Sequence, residues 1–518
     1  MQHAELPDDV VALKRLVVET RSALALAESR IHTQTLAIEQ LRLQLARLKR
    51  ARFGRSSESL DQRIAQLELA LEDLEATQAM RPPVAAKPVA QRPVRRPLPA
   101  HLPRETIQHA PLPGNACTCP ACGGALRPLG EDVSEVLEYV PARFKVIRHV
   151  RPKLSCSRCQ AIVQAASPTR PIARGLAGPG LLAHVLVSKY CDHLPLYRQS
   201  EIYAREGVEL ERSTLADWVG GASALLQPLV EALATHVLAA SKLHADDTPV
   251  PVLSPGAGKT RLGRLWTYVR DDRPAGDATP PAVLFRYSPD RKGERPREHL
   301  RAFAGILQAD GYAGFDRLYA DGRIHEAACF AHVRRKFYDI HFADASPIAR
   351  EALERIGALY GIEAEIRGRL PGVRQAVREA RAGPLLDAFH RWLRATLTQV
   401  SRKSGLAGAI RYALARWAAL TRYCDDGRIE IDNNAAERAL RAVALGRKNY
   451  LFVGSDAGGE RAAALYSLIG TAKLNGIDPQ AYLRHVLERI ADHPINRVEE
   501  LLPWHVATRW ADSQSQAA

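Results

Sequence analysis

The sequence has no long apolar run of the kind that crosses a membrane. Such a span needs about 18 uninterrupted apolar residues, and no stretch of the 518 residues reaches that length. Residues 1–9 also lack the basic-then-apolar layout of a secretory signal peptide. These two absences argue against membrane and secreted proteins, so we expect a cytoplasmic one.

Cysteine is scarce, with eight residues in the whole chain. This argues against a disulfide scaffold, and the grouping of the thiols indicates metal ligation in a reducing cytosol. Two CxxC pairs flank the β-prone residues 133–154, and four thiolates so spaced fit tetrahedral zinc with no open position for catalysis. We therefore predict a structural zinc ribbon over residues 106–170. Its predicted ligands are Cys119, Cys122, Cys156 and Cys159, with Cys117 as a competitor for Cys119.

Acidic residues are missing from residues 81–104, a proline-rich segment with six basic side chains. Such a linker cannot form a core and adopts extended, partly stiff conformations. The whole chain is basic too, with 72 Lys and Arg against 57 Asp and Glu, and a formal charge of +15. Solubility is the plainer explanation. The sharper one is a nucleic-acid partner, because each basic side chain placed on a phosphate releases a counterion.

Apolar residues recur every seven positions between residues 10 and 52. One seam at this strict spacing contains Val17, Leu24, Ile31, Ile38 and Leu45. Sustained heptads bury their apolar stripe against another helix. We predict a coiled coil within residues 1–80 that joins copies of the chain into a homo-oligomer. Packing of two helices within one chain is the alternative.

The pattern of residues 171–235 is helical. A short helix near Tyr197 leads through Gly207 to a second helix that begins near Ser213. This layout is typical of a DNA-binding helix-turn-helix, but many ordinary helical hairpins share it. Both interpretations stay open at this point.

The apolar period becomes strand-like between residues 236 and 345. The predicted strands are 242–248, 264–270, 282–287, 306–310 and 327–330, with a helix at 297–303. Residues 346–425 are all helical and are interpreted as an insertion. The α/β part continues over 426–480, and a helical tail occupies 481–518. The chain as a whole is predicted to be a multidomain α+β protein.

Three acidic residues lie at the ends of these elements. Asp246 and Asp310 end strand-like runs, and Glu437 lies one turn into a helix-like run. Strand alternation favours Asp246 over Asp247 without excluding Asp247. For Glu437, an ion pair with Arg441 is the plainer role. Two strand carboxylates and a helix carboxylate suit two hard cations, about 4 Å apart, that serve phosphodiester chemistry.

Basic side chains crowd the same segments, after the fifth predicted strand and after Glu437. They suit the binding of phosphates beside a metal site, although a solvated helix face is the plainer explanation. The predicted DNA-binding residues are His332, Arg334, Arg335, Lys336, Arg438, Arg441, Arg447 and Lys448.

In these residues the chain resembles a known family, the transposases of the insertion sequence 66 family, which are large bacterial proteins of the DDE class. Besides the zinc-ribbon pairs, the matching stretches are 53–58, 197–199, 243–249, 309–312, 329–337, 432–438, 446–449 and 502–504. The similarity therefore runs nearly from end to end and in the right order. Asp247 departs from the family, which commonly has Glu there, but the change keeps a carboxylate.

The resemblance implies an RNase H-like α/β catalytic domain with a helical insertion. It implies that Asp246, Asp310 and Glu437 are the catalytic triad and bind Mg²⁺ or Mn²⁺, while Zn²⁺ in the ribbon is structural. The implied activity is DNA cleavage and strand transfer at the element's terminal inverted repeats. The element typically also encodes two small accessory proteins. The expected location is the bacterial cytoplasm, at the nucleoid when bound to DNA.

Two other functions fit parts of the sequence. A non-enzymatic DNA-binding regulator would use the coiled coil, the ribbon and the helix-turn-helix, but it leaves the acidic triad unexplained. A plain metal-dependent nuclease would cut DNA without joining it.

Overall fold

The computed structural model describes most of the chain after the linker. The described residues are 17, 18, 20–22, 98, 100, 102–109, 121–122, 124–140, 143–173, 175–254, 260–446 and 453–517. Two mixed sheets and many helices make it an α+β structure, as predicted. The predicted coiled coil and linker lie almost wholly outside the described residues, as do Cys117, Cys119, Arg447 and Lys448.

A four-stranded sheet occupies the region of the predicted zinc ribbon. Its strands are β1 (Arg104–Gln108), β2 (Leu126–Val140), β3 (Arg143–Cys156) and β4 (Ile162–Gln164). β2 and β3 form a long antiparallel hairpin, β1 runs parallel to β3, and β4 pairs with the end of β3. The register pairs Leu126 with Cys156. The end of β3 therefore lies beside the turn that contains Cys122.

Three helices connect this sheet to the next one: α1 (Pro179–Tyr190), α2 (Leu196–Arg205) and α3 (Arg212–Leu238). The turn between α2 and α3 contains Gly207 with φ of 80°, a left-handed conformation that glycine adopts without strain. The predicted layout of two helices and a tight turn is therefore present. However, α3 has buried residues along its whole length, so it is chiefly a core helix. Its role in DNA binding stays a prediction.

The second sheet has five strands. In chain order they are β5 (Lys242–Leu253), β6 (Thr260–Arg270), β7 (Ala282–Ser288), β8 (Gly305–Ala309) and β9 (Ile324–Ala327). Their spatial order is β7-β6-β5-β8-β9. β6 is antiparallel to both of its neighbours, β5 and β7, whereas β8 and β9 run parallel to β5. The central strand β5 thus carries the first acidic segment, and its parallel neighbour β8 leads into the second.

Five strands are present where five were predicted, but their boundaries differ. β5 continues five residues past its predicted end, to Leu253, and β6 begins four residues early, at Thr260. The helix predicted at 297–303 is α4 (Glu294–His299), followed by a turn. The strand predicted at 327–330 ends earlier, at Ala327. The apolar run through Phe330 belongs to two elements, because α5 (Phe330–Asp344) begins there.

Residues 346–425 are helical, as predicted for the insertion. Their α-helices are α6 (Pro347–Ile366), α7 (Pro371–Val377), α8 (Gly383–Gln399), α9 (Gly405–Ala415) and α10 (Trp417–Thr421). These helices and α5 bury a hydrophobic cluster of their own around Ile356, Leu393 and Ile410, each fully buried. The larger cluster lies between the five-stranded sheet, α1, α3 and the helices after the insertion. The insertion therefore has its own core.

Four helices follow the insertion: α11 (Asn434–Gly446), α12 (Asp456–Leu474), α13 (Pro479–Leu487) and α14 (Pro503–Ala517). α12 covers the edge strand β7, where Ser467 and Thr471 accept the backbone N–H groups of Phe285 and Val283 at 2.7 and 3.1 Å. These hydroxyls satisfy donors that an edge strand would otherwise leave open. Among the helices in the described ranges, none combines the length and apolar character needed to cross a bilayer.

Candidate metal sites and nucleic-acid surface

Asp247 is a buried partner of two arginines. Its side chain is 1% exposed, and Arg264 Nη1 lies 2.9 Å from Oδ2 while Arg291 Nη2 lies 2.8 Å from Oδ1. Arg291 also stacks on the Tyr312 ring, 3.9 Å from its centroid. The charge of Asp247 is therefore balanced within the protein, by Arg264 on β6 and by Arg291 in the loop after β7.

Asp246 is in a different state. Within the described residues it forms no ion pair, and the Asp247 N–H donates to its Oδ1 at 2.7 Å. Burial is the largest cause that raises the pKa of Asp246 to about 7, and repulsion by the Asp310, Asp247 and Glu437 carboxylates adds to it. A buried carboxylate repelled by other acids is suited to binding a cation, because the cation relieves both costs.

Asp246→Asn is expected to stabilise the protein in magnesium-free buffer at neutral pH. The folded-state pKa of about 7 lies above the unfolded value of about 3.9, so the wild type loses stability as the pH rises between these values. Asparagine does not titrate, so the variant should gain roughly 2 kcal/mol in free energy of unfolding near pH 8, and the gain should vanish near pH 4. Urea unfolding at both pH values measures it. Equal or lower stability near pH 8 would contradict this account of Asp246.

The register of the central strands brings two aspartates together. β5 and β8 are parallel, and Ala245 pairs with Ala309. Asp246 and Asp310, the next residues along the two strands, therefore lie side by side at the carboxyl end of β8. Ligand sites in α/β sheets are commonly built at such strand ends.

The turn after Asp310 holds its carboxylate in place. The Tyr312 N–H donates to Asp310 Oδ1 at 3.2 Å, and Arg291 Nη2 lies 4.0 Å from Oδ2. Arg416 from the insertion donates to the Gly311 carbonyl at 2.7 Å. Only glycine permits this approach, since a Cβ on Gly311 would lie 2.4 Å from Arg416 Nε. The insertion thus contacts the acidic turn directly.

Glu437 is positioned by the residues that open α11. Asp432 Oδ1 accepts the Asn434 N–H at 3.1 Å and caps the helix. Asn433 is fully buried: its Nδ2 donates to the Ala245 carbonyl at 2.8 Å, and its Oδ1 lies 3.0 Å from His244 Nδ1. Asn433 therefore ties the start of α11 to β5, one residue before Asp246.

Glu437 also has neighbours on α5. Its carboxylate, Cys329 Sγ and a His332 ring nitrogen all lie within 4.8 Å of one another. Among the described residues, the carboxylates of Asp246, Asp310 and Glu437 do not form a cluster this tight. Closure around a shared ion therefore requires Glu437, whose side chain is exposed, to approach the two aspartates.

The predicted DNA-binding residues within the described ranges lie on α5 and α11. His332 is half-buried, while the exposed members are Arg334, Arg335, Lys336, Arg438 and Arg441. The two helices begin side by side, because the Phe330 N–H donates to the Ile431 carbonyl at 3.0 Å. Most of the predicted cations are thus exposed on the two helices whose first turns carry His332 and Glu437. Arg447 and Lys448 lie outside the described residues.

The sequence reasoning missed several residues of this region. Arg264 and Arg291 balance Asp247, Asn433 anchors α11, and Cys329 accepts the Asn433 N–H at 3.2 Å. Cys329 and Asn433 belong to the stretches 329–337 and 432–438, which carry the family resemblance. The sequence therefore pointed to these motifs but not to the contacts that the two residues make. Arg264 and Arg291 gave no motif signal.

The zinc-ribbon cysteines come together as predicted, as far as the structure describes them. Cys122, Cys156 and Cys159 have their sulfurs within 4.8 Å of one another, and Cys122 Sγ lies 3.4 Å from Cys156 Sγ. The Cys159 N–H is the largest cause that lowers the pKa of Cys156 to about 6, which favours the thiolate that zinc binds. The predicted fourth ligand, Cys119, lies outside the described residues. The donor set fits structural zinc.

Gly124→Ala is expected to weaken zinc binding at the ribbon by roughly tenfold, the scale of outer-shell effects on metal sites. A Cβ on Gly124 would lie 3.0 Å from Cys156 Sγ and 2.8 Å from Arg158 Cβ, so the thiols would have to move. Competition with a chromophoric chelator measures the affinity. Gly361→Ala is the matched control, because a Cβ there meets nothing within 4 Å. Equal zinc affinity in both variants would contradict the prediction.

Comparison with known families gives the same assignment along the chain. Residues 174–461, over half of the chain, match the family described as Transposase IS66 family. Residues 467–504 match the IS66 C-terminal element, and residues 116–160 match the zinc-finger binding domain of transposase IS66. Residues 40–107 match a family described as Transposase C of IS166 homeodomain.

Relatives of similar length exist in bacteria. The protein y4hP of Sinorhizobium fredii is 44% identical over 497 residues, which cover 90% of this chain and 88% of the relative. A second protein of the same organism, y4jD, is 37% identical over 534 aligned residues, and the alignment covers 100% of this chain and 100% of y4jD. YuaK of Escherichia coli K12 is 48% identical over 48 residues, which are 9% of this chain and 51% of that protein. With the zinc-finger region and the transposase region both matched, the chain belongs to the insertion sequence 66 family of transposases.

Proposed function

We propose that this transposase cuts and joins DNA with two Mg²⁺ or Mn²⁺ ions held by Asp246, Asp310 and Glu437. The observation that carries the proposal is the placement of Asp246 and Asp310 side by side on adjacent parallel strand segments, to which Asn433 ties the start of the helix that carries Glu437. The donor set is all carboxylate oxygen, which suits a hard cation. The pairing of Asp247 with two arginines supports Asp246 rather than Asp247 for this role.

The sheet supports an RNase H-like catalytic domain. Its central strand β5 carries the first aspartate, and its parallel neighbour β8 leads to the second. On the other side of β5, β6 and β7 complete the sheet, each antiparallel to its neighbour. The helical insertion follows β9 and ends before α11, which brings the glutamate back to the sheet through Asn433. These features support the RNase H-like domain with a helical insertion that the resemblance implies.

The protein's own residues position the reacting groups. When bound, the ions supply activation of the attacking water or hydroxyl and neutralise charge on the leaving oxygen. Asp246, Asp310 and Glu437 hold the ions, and the exposed cations of α5 and α11 bind the phosphates that flank the scissile bond. Cleavage at the element's 3′ end is followed by attack of the freed 3′-hydroxyl on target DNA. Both steps are direct displacements that need positioning rather than a protein nucleophile.

The remaining modules have supporting roles in this proposal. The zinc ribbon, α2 with α3, and the basic linker bind the terminal inverted repeats of the element. The coiled coil joins protomers so that two DNA ends are held in one complex. The two small proteins that such elements typically encode are candidate accessory partners.

A cleavage assay separates this proposal from a regulator that only binds DNA. The full-length protein is incubated with a duplex of its own element's end, with Mg²⁺ or with EDTA. We expect binding that weakens with salt, and a nick at the element's 3′ end with Mg²⁺ alone. Specific binding without a cut in either buffer would favour the regulator and overturn the proposal.

A further inference from the structure

A second group of metal-ligating side chains stands beside the proposed magnesium site. Cys329 directly precedes α5, His332 lies in its first turn, and Glu437 lies in the first turn of α11. Their ligand atoms lie within 4.8 Å of one another. Cysteine, histidine and glutamate are all zinc ligands, and here two of them come from the start of α5 and the third from the neighbouring helix α11.

The surroundings of the Cys329 sulfur favour a bound thiolate. Its Sγ accepts the Asn433 N–H at 3.2 Å, and the N–H groups of His332 and Ala331 point to it as well. A coordinating metal ion replaces the thiol proton outright. The donors that then stabilise the sulfur are already in place.

His332 gives an independent indication of a missing partner. Its Nδ1 is buried and has no hydrogen-bond partner among the described residues. A buried ring nitrogen without a hydrogen-bond partner is energetically costly. A metal ion at the cluster that binds Nδ1 directly removes this cost. If the ion binds the other ring nitrogen instead, Nδ1 can bond to a water molecule. The Glu437 side chain is exposed, so the cluster is open to solvent on one side.

We propose that Cys329, His332 and Glu437 bind one transition-metal ion of the zinc type, with the fourth position open to solvent. A thiolate and an imidazole select zinc or cobalt over magnesium. Resting on the proposed function, we further infer that this ion competes with the magnesium site, because Glu437 cannot serve both. Zinc at the cluster would hold the Glu437 side chain against Cys329 and His332, away from Asp246 and Asp310.

Metal counting on the full-length protein tests the site without any activity assay. After saturation with zinc and removal of the excess, the wild type should retain two ions per chain, one in the ribbon and one in the cluster. Cys329→Ser and His332→Gln should each retain one. Cys424→Ser, at a partly buried cysteine in the insertion, is the control and should retain two.

Cobalt provides a check on the ligands. The thiolate-to-cobalt absorption of the wild type should exceed that of Cys329→Ser by one thiolate's contribution, with the ribbon's contribution unchanged. The proposal is overturned if the wild type and both cluster variants hold the same number of zinc ions. Folding is monitored by circular dichroism, and His332→Gln gives the answer if Cys329→Ser does not fold.

Inhibition tests the competition. With Mg²⁺ in excess, zinc that fills the cluster should lower DNA cleavage by the wild type at least roughly tenfold, while the rate of Cys329→Ser, measured with and without zinc, should change little. Equal inhibition of both proteins would contradict the shared ligand, even if the metal count supports the site. If no protein cleaves DNA under any condition, the proposed function fails, and the metal count still decides whether the site exists.

Discussion

Replacing Asp246 with asparagine should lower magnesium-dependent DNA cleavage by roughly a thousandfold or more. The change removes a charged ligand from the proposed two-ion site, and metal ions stabilise the transition state of phosphodiester chemistry by several kcal/mol. A loss of about 4 kcal/mol corresponds to about a thousandfold in rate. Asp310→Asn and Glu437→Gln should have effects of the same size. Single-turnover cleavage of a labelled element end measures all three.

The control variants keep this prediction specific. Asp321→Asn changes an exposed aspartate whose contact is with Arg323 at 3.6 Å, and its cleavage rate should equal that of the wild type. Each variant's DNA affinity should stay within a few-fold of the wild type, because phosphate contacts come from the basic residues. Near-normal cleavage by Asp246→Asn, with folding and DNA binding intact, would show that the site has been placed wrongly.

Replacing Glu363 with alanine should destabilise the protein by about 3–5 kcal/mol, the cost of removing one partner from a buried ion pair. Glu363 accepts from Arg378 Nε and Nη2 at 2.8 and 2.6 Å. It also lies 3.5 Å from Arg374, which pairs with Glu430 at 2.7 Å. Both arginine side chains are at most 1% exposed, so the variant would leave buried positive charge uncompensated. Urea unfolding measures the loss.

The same helix provides a matched control. Glu365 pairs with Arg381, but both side chains are at least half exposed, and ion pairs of that kind add little to stability. Glu365→Ala should therefore leave the urea midpoint of unfolding close to that of the wild type. Equal effects of the two variants would contradict the claim that burial makes the Glu363 network essential.

This network connects the insertion to the acidic site. Arg378 also donates to the Tyr423 carbonyl at 2.7 Å, at the end of the insertion. Gln308 on β8 accepts the N–H of Glu430 at 3.2 Å, two residues before the helix cap Asp432. Loss of the Glu363 network should therefore disturb the positioning of Glu437 relative to Asp246 and Asp310, in addition to lowering the stability of the chain.

Some of the site could be predicted from sequence because its signals are local. Asp246 and Asp310 lie at the ends of short apolar runs, and the zinc cysteines lie at fixed spacings. The residues next to them in the sequence are therefore enough to indicate these positions. The parallel pairing of β5 with β8 then places both aspartates together. The helical insertion was also visible, because its apolar period differs from that of the strands around it.

Other features depend on contacts between distant segments. Alternation could only favour Asp246 over Asp247; the structure separates them through Arg264 and Arg291, which lie 17 and 44 residues beyond Asp247. Cys329 and Asn433 are 104 residues apart, yet their hydrogen bond helps to set where α11 begins. The predicted strand 327–330 was misplaced because one apolar run contains both the end of β9 at Ala327 and the start of α5 at Phe330.

A strand-transfer assay tests the central claim most directly. A labelled element end that already carries its 3′-hydroxyl is mixed with plasmid target, the full-length protein and Mg²⁺, and the products are separated by size. We predict labelled DNA joined covalently to the plasmid with the wild type, and none with Asp246→Asn or with EDTA. Wild-type protein that cuts intact ends but never joins the pre-cut end, or that joins it equally well without Asp246, would contradict the account.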